Sequence, residues 1–330
     1  MSNEQPGTGW AVEIKDLVKT FGSFTAVDHI SLKVKKGEIF GFLGPNGAGK
    51  STTIRMLCAI LMPTAGEGWV GGFNIYREPE KIKQNIGYMS QKFSLYEDLT
   101  VEENLDFYSG IYRLPRKTSA ERKEWALEMA GLKDRRTSLT QTLAGGWKQR
   151  LALGCAILHQ PSILFLDEPT SGVDPLSRRR FWDLIYGMAG REVTVFVTTH
   201  YMDEAEYCDR LALIDRGKII ALGTPGELKT HYMSEVVWEL ETNRLNESLA
   251  LLRESAAGVC ELPHFSEVAV FGNSLHIIAG KKEDLSLSVP PFLASHGIIP
   301  QRLERIEPSL EDVFVSLVES GKHKNRGGNS

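Results

Sequence analysis

No apolar run in this sequence approaches the ~20 residues that a helix needs to cross a bilayer, so the chain is not expected to span a membrane by itself. The opening residues, among them Asn3, Glu4, Gln5 and Pro6, lack the basic-then-apolar order of a secretory signal, and export is not expected. Cysteine is scarce. Cys58, Cys155, Cys208 and Cys260 are far apart and form no C-x-x-C pair, and buried free thiols in a reducing cytoplasm are the simplest reading. An excess of positive charge is missing too. With 38 Lys and Arg against 42 Asp and Glu, the net charge of −4 gives no sign of a nucleic-acid partner. The short run Arg178-Arg179-Arg180 falls on an expected helix and reads as a solvated face. Sustained heptads are also absent, which speaks against a coiled coil.

What remains is ordinary for a globular protein: 42% hydrophobic and 24% charged residues over 330 positions, enough for two domains. One segment is far from ordinary. Gly44-Pro45-Asn46-Gly47-Ala48-Gly49-Lys50-Ser51 fits the phosphate-loop pattern G-x-x-x-x-G-K-[ST]. Glu38–Leu43 before it reads as a buried strand and Thr52–Ala59 after it as a helix, the context such a loop requires. Its glycines let backbone N–H groups turn toward phosphate oxygens, and the helix start adds its positive end. Lys50 is expected to reach the β- and γ-phosphates and Ser51 to hold Mg²⁺. The chain is expected to bind a nucleoside triphosphate.

Around this loop the pattern is α/β. Val12 and Ile14, then Ile30, Leu32 and Val34, alternate with polar residues as half-exposed antiparallel strands do. Ile163–Leu166 and Val193–Val197 are continuously apolar and suit parallel strands buried on both faces. Residues 92–158 read as a largely helical insertion. Gly223-Thr224-Pro225-Gly226 marks a boundary. Beyond it come a strand (235–240), a helix (246–256), a hairpin around Gly272-Asn273, a helical stretch through Pro290-Pro291 and a strand (298–306). The order βαββαβ suggests a small ferredoxin-like domain. A last helix is expected from Ser309, with Asp312 completing a capping box, and Leu310, Val313, Phe314, Leu317 and Val318 on one apolar face. The expected division is a disordered tail (1–9), a nucleotide-binding domain (10–229), an α+β accessory domain (230–319) and a second disordered tail (320–330).

Further elements narrow the chemistry. Ile163-Leu164-Phe165-Leu166-Asp167-Glu168 is a buried strand ending in two acids. The first suits Mg²⁺, and the second can polarise a water aimed at the γ-phosphate. Gln91 follows the strand-like run Ile86–Met89, where its amide reaches toward Mg²⁺ or that water. His200 ends the strand Val193–Thr199, the usual exit toward a ligand in an α/β sheet. Ser171-Gly172-Val173-Asp174 forms a turn, and Leu143-Ala144-Gly145-Gly146-Trp147 precedes a long helix, Lys148–Leu158, as a second Gly-rich helix start for an anion.

In this order the segments resemble the nucleotide-binding subunit of an ABC transporter, from about Val12 to Lys229. The resemblance implies a P-loop ATPase fold with a parallel core sheet, an antiparallel β layer and a helical insertion. It places Phe21 where the family stacks a ring on adenine, and makes residues 44–51, with Thr52 beside them, the Walker A loop. Gln91 becomes the Q-loop glutamine, and Asp167 and Glu168 the Walker B aspartate and catalytic glutamate. Ser171–Asp174 becomes the D-loop and His200 the switch histidine. Leu143–Trp147 takes the part of the signature, which binds ATP held by the opposite subunit. The family usually has L-S-G-G-Q there; Ala144 replaces its serine and Trp147 its glutamine, which puts the hydroxyl contact to the γ-phosphate in question.

Tyr96–Leu105 looks like the segment that meets a membrane subunit, and Pro308–Phe314 resembles the end of ATPase subunits of bacterial ABC-2 type exporters, drug exporters included. The expectation is a Mg²⁺-dependent ATPase that dimerises and sits peripherally on the cytoplasmic face of the membrane, bound to separate integral ABC-2 type subunits. Other roles stay open. A soluble ABC ATPase usually carries two ATPase halves or long coiled coils, and an importer ATPase commonly has a different appended domain. A module that binds ATP without turnover is opposed by Glu168 and His200.

Overall fold

The computed structural model describes residues 9–190, 192–233, 235–255 and 265–326, the last eight of these (319–326) by backbone alone. Residues 1–8 of the expected first tail, Ala256 of the expected helix, Cys260, and residues 327–330 of the expected last tail lie outside the described residues. Two compact units meet between Pro225 and Gly226, at the Gly/Pro-rich stretch.

Among the described residues of the first unit, the strands form two sheets. β1 (Trp10–Phe21), β2 (Phe24–Lys35), β4 (Ala65–Val70) and β5 (Phe73–Asn74) make an antiparallel layer in the order β2-β1-β4-β5. β3 (Ile39–Leu43), β6 (Ile86–Met89), β7 (Ile163–Asp167), β8 (Thr194–Thr199), β9 (Arg210–Asp215) and β10 (Lys218–Gly223) make the second, in the order β10-β9-β3-β8-β7-β6. Its pairs are parallel except β9–β10.

Alternation along these strands explains the layering. Phe40, Phe42, Phe165 and Phe196 point to one face, where they meet Val12, Ile14, Leu17 and Ile30 of the antiparallel layer and Ile54, Met56 and Leu57 of α1 (Lys50–Leu57). Ile39, Leu164, Leu166, Val195 and Val197 point to the other, against α5 (Gly145–Ile157) and α6 (Pro175–Ala189). A sheet covered on both sides needs the continuously apolar strands that the sequence has.

After the short α2 (Pro79–Asn85), α3 (Val101–Ile111), α4 (Arg116–Ala130) and α5 pack around Leu105, Leu127 and Leu151. Thr100 starts α3 with a full capping box closed by Glu103. α5 begins three residues before the expected Lys148, so the two glycines form its first turn instead of preceding it. Ala144, with ψ of 155°, is the N-cap and supplies no side-chain bond, leaving first-turn N–H groups for another acceptor. The arginine run also departs from expectation. Arg178 lies over Tyr201 and pairs with Asp203 and the buried Glu204, because the start of α6 packs there. Only Arg179 and Arg180 remain exposed.

The second unit opens within α7 (Pro225–Tyr232). β11 (Val236–Thr242), β12 (Phe265–Phe271), β13 (Ser274–Ala279) and β14 (Pro300–Ile306) form an antiparallel sheet ordered β12-β13-β11-β14. With α8 (Leu245–Glu254) and α9 (Val289–Ser295) between them, this is the split-βαβ arrangement. One face packs on Leu252, Val289 and Leu293 of those helices. From β13, His276 meets Asp312 of α10 (Leu310–Arg326) at 2.8 Å. Burial pushes the Asp312 carboxyl up, but hydrogen bonds from His276 and Ser309 outweigh it and hold it below the usual value. α10 runs on to Arg326, past Gly321 where the sequence suggested a disordered tail.

Candidate functional site

The parallel register decides which side chains meet. Leu43 lies opposite Thr199 and Asp167 opposite Thr198, so the phosphate loop, the two acids and His200 emerge at one edge of the sheet. The loop then runs against neighbouring backbone. A Cβ on Gly44 would lie 2.1 Å from the Ile214 carbonyl oxygen, and one on Gly49 2.4 Å from that of Ala26. Gly49 also has φ of +106°, closed to other residues. Pro45, Asn46 and Gly47 are exposed, whereas Ala48 is buried and its carbonyl accepts from the Gly217 N–H at 2.9 Å.

Lys50, the first residue of α1, is 4% exposed. Its Nζ donates to the carbonyls of Gly44 at 2.7 Å and Pro45 at 3.2 Å, and lies 3.1 Å from Glu168 Oε1. Glu168 Oε2 accepts from Gln91 Nε2 at 3.0 Å and lies 3.2 Å from His200 Nδ1. Three polar groups from three separate segments thus converge on one carboxylate. Beside it, Ser51 Oγ donates to Asp167 Oδ1 at 2.9 Å, and half-buried Thr52 follows in the chain. Asp167 charge is felt beneath the loop. Burial first, and this charge second, push the Cys58 thiol well above its ordinary range and the Tyr88 phenol to about 12.

Glu168 has φ of 48°, unusual for a residue with a side chain. Its N–H is held by both the carbonyl and the hydroxyl of Thr198, each at 3.1 Å. The same hydroxyl donates to Asp167 Oδ1 at 2.8 Å. Thr198 therefore orients both acids, a part that sequence reasoning missed. The adjacent threonines Thr198 and Thr199 that end the strand were the available signal.

The remaining site residues lie in other places. Phe21 is half-exposed at the end of β1, with Lys19 Nζ 5.0 Å from its ring centre. Ala144, Gly145, Gly146 and Trp147 line a separate cavity of about 300 Å³ together with Asp174. Asp174 caps α6 by accepting from the Ser177 N–H at 3.0 Å, and hydrogen bonding to Ser177 holds its carboxyl below the usual range. The cavity shares no lining residue with the Lys50–Glu168 cluster. Arg150, Ser177 and Arg180 also line it and escaped sequence reasoning.

A phosphate loop, a buried acid pair and a lysine held at the mouth of a parallel sheet define a P-loop nucleotide-binding cassette. Residues 27–171 match the ABC transporter family. The chain is 37% identical over 309 residues to the linearmycin resistance ATP-binding protein LnrL of Bacillus subtilis (strain 168), covering 93% of this chain and 97% of that one. It is 56% identical over 218 residues to the probable multidrug ABC transporter ATP-binding protein YbhF of Escherichia coli (strain K12), covering 66% of this chain. That alignment spans only 38% of YbhF. The dimeric, post-hydrolysis ATP-binding cassette MJ0796 bound to ADP and Pi superimposes with a TM-score of 0.59 at 26% identity, over 64% of this chain and 98% of that one. The chain belongs to the ABC transporter ATP-binding proteins. Among its described residues no helix is long and apolar enough to cross a membrane.

Proposed function

We propose that this chain hydrolyses Mg²⁺-ATP and so powers export through separate ABC-2 type integral membrane subunits, from the cytoplasmic face of the membrane. The observation that carries the reading is the convergence of Lys50, Gln91 and His200 on Glu168. In the proposed mechanism, loop N–H groups and Lys50 take the phosphates, and Phe21 stacks on adenine. Glu168 orients and polarises the attacking water, and His200 contacts the γ-phosphate. Ser51 and Asp167 bring two hard oxygens together, the donor type that Mg²⁺ takes along with water and phosphate oxygens, and Gln91 adds its amide oxygen. Bound there, Mg²⁺ supplies neutralisation of phosphate charge.

The separation of the Ala144–Trp147 cavity from the Lys50–Glu168 cluster supports a dimer in which each chain completes the other's site. The dimeric MJ0796 cassette is a precedent for such pairing. Export is supported by LnrL and YbhF, named for drug resistance and multidrug transport, and the LnrL alignment is long enough to reach into the second unit. That unit carries none of the proposed nucleotide residues, and its role is in assembly. Exposed Tyr96 and Phe107, their rings 4.4 Å apart, offer a contact for a membrane subunit.

Affinity purification from detergent-solubilised membranes tests the export reading. Integral subunits with about six apolar segments each are expected to accompany the chain. Recovery with ribosomal or DNA-repair partners instead would overturn it.

Ala144→Ser tests the signature. A hydrogen bond to a charged oxygen is worth about 1.5–3 kcal/mol, and ~1.4 kcal/mol is tenfold in rate. Because the Gly145 and Gly146 amides remain, the expected gain in turnover is below about tenfold, with the isolated chain's ATP affinity unchanged. A large loss of activity would contradict this assignment.

A further inference from the structure

α5 faces the parallel sheet with a buried stripe that has one polar member. Ala152, Leu153 and Ala156 pack with Leu164 and Leu166 of β7. Gln149 precedes them on the same helical face and is 0% exposed. An amide costs more to bury than an alkyl side chain of its size unless its hydrogen bonds are made. Here Nε2 donates to the Pro169 carbonyl at 2.8 Å, while Oε1 is buried with no hydrogen-bond partner among the described residues. Packing stability therefore does not explain Gln149. What its amide supplies is the one bond to Pro169.

Pro169 follows Glu168 directly. The Ser171 N–H donates to the Glu168 carbonyl at 3.2 Å, closing a turn over residues 168–171 with Pro169 in its second position. Thr170 Oγ1, in the same turn, donates to the buried Glu204. Glu168 itself has φ of 48°, a backbone conformation that persists only where its surroundings impose it. On its N-terminal side Thr198 supplies that restraint. On its C-terminal side the restraint comes from Gln149, on another element. We propose that Gln149 is a positioning residue for Glu168: through Pro169 it fixes the peptide that follows the carboxylate, and so ties the place where Glu168 holds a water to the placement of α5. The inference rests on the activation of water by Glu168 proposed above. Gln149 does not line the Ala144–Trp147 cavity, and its donor is spent on Pro169, so its effect on the reaction passes through Glu168 alone.

The experiment uses the full chain with Gln149→Met, which removes the donor, and the unpartnered acceptor with it, at similar length and volume. Turnover at saturating Mg²⁺-ATP is expected to fall by about tenfold or more, since a small misplacement of a reacting group is costly in rate. Nucleotide affinity and thermal unfolding are expected to stay as in the parent. Combining Gln149→Met with Glu168→Gln separates positioning from packing. With the carboxylate gone nothing is left to position, so single-turnover hydrolysis of the double variant is expected to stay within about twofold of Glu168→Gln alone. Gln149→Leu repeats both measurements with a second side chain that cannot donate. Near-normal turnover in Gln149→Met and Gln149→Leu would overturn the inference. So would a comparable further loss in the double variant, which would show action independent of Glu168. Loss of folding or of nucleotide binding in both single variants would make Gln149 a packing residue and overturn it as well. Near-normal turnover in Glu168→Gln alone would overturn the water-activation reading itself, and the inference with it.

Discussion

Replacing Glu168 by glutamine is expected to suppress ATP turnover by about a hundredfold or more while leaving ATP binding intact or tighter. The two effects have one origin. The carboxylate that polarises water in the proposed mechanism also holds Lys50 Nζ at 3.1 Å. Nucleotide phosphate must take over that lysine, so the Lys50–Glu168 ion pair, nearly inaccessible to solvent on both sides, competes with binding. Glutamine keeps the shape and the hydrogen bonding to Gln91 but gives up the charge. Loss of base function lowers the rate, and loss of the competing ion pair frees Lys50. Steady-state ATPase assays and equilibrium nucleotide binding measure the two separately. Near-normal turnover would remove Glu168 from its assigned role.

The second large effect is expected from a single methyl group. Gly49→Ala places a Cβ 2.4 Å from the Ala26 carbonyl oxygen, at a residue whose φ is +106°. Neither problem relaxes easily, because the obstacle is β2 backbone and not the end of a side chain. Overpacking and backbone strain each cost about 1–3 kcal/mol. The loop moves to escape them, and nucleotide affinity is expected to fall by at least about a hundredfold. Gly47→Ala is the control. Its φ of +82° is strained too, but its Cβ meets nothing within 4 Å, so a smaller loss is expected. Thermal unfolding and nucleotide titration of both variants distinguish the close approach from strain alone. Equal losses would show that contact with Ala26 is unimportant.

The Lys50–Glu168 cluster was legible in the sequence because each member follows a strand in a local pattern. Pattern and register together bring Lys50, Ser51, Gln91, Asp167, Glu168 and His200 to one sheet edge. Thr198 was not legible. Its function arises from pairing with Asp167 on the next strand, and nothing within its own segment states which strand that is. Arg150 and Arg180 were hidden for a similar reason. One reads as an ordinary residue of α5 and the other as part of a solvated run, and only packing sets them at one cavity. The start of α5 was misplaced because glycine is a poor helix former, yet tertiary packing holds Gly146 there. A Cβ on it would meet Ser177 Oγ at 2.6 Å. The second unit's strand order follows the βαββαβ pattern, whereas the end of α10 runs through a polar, Gly-containing stretch whose composition suggested a tail.

The central claim is that two chains close around ATP, each completing the other's site. Light scattering of purified Glu168→Gln protein, with and without saturating Mg²⁺-ATP, tests it most directly. The account predicts the mass of one 36.8 kDa chain without nucleotide and twice that mass with it. A single-chain mass at saturating ATP, with nucleotide demonstrably bound, would contradict it.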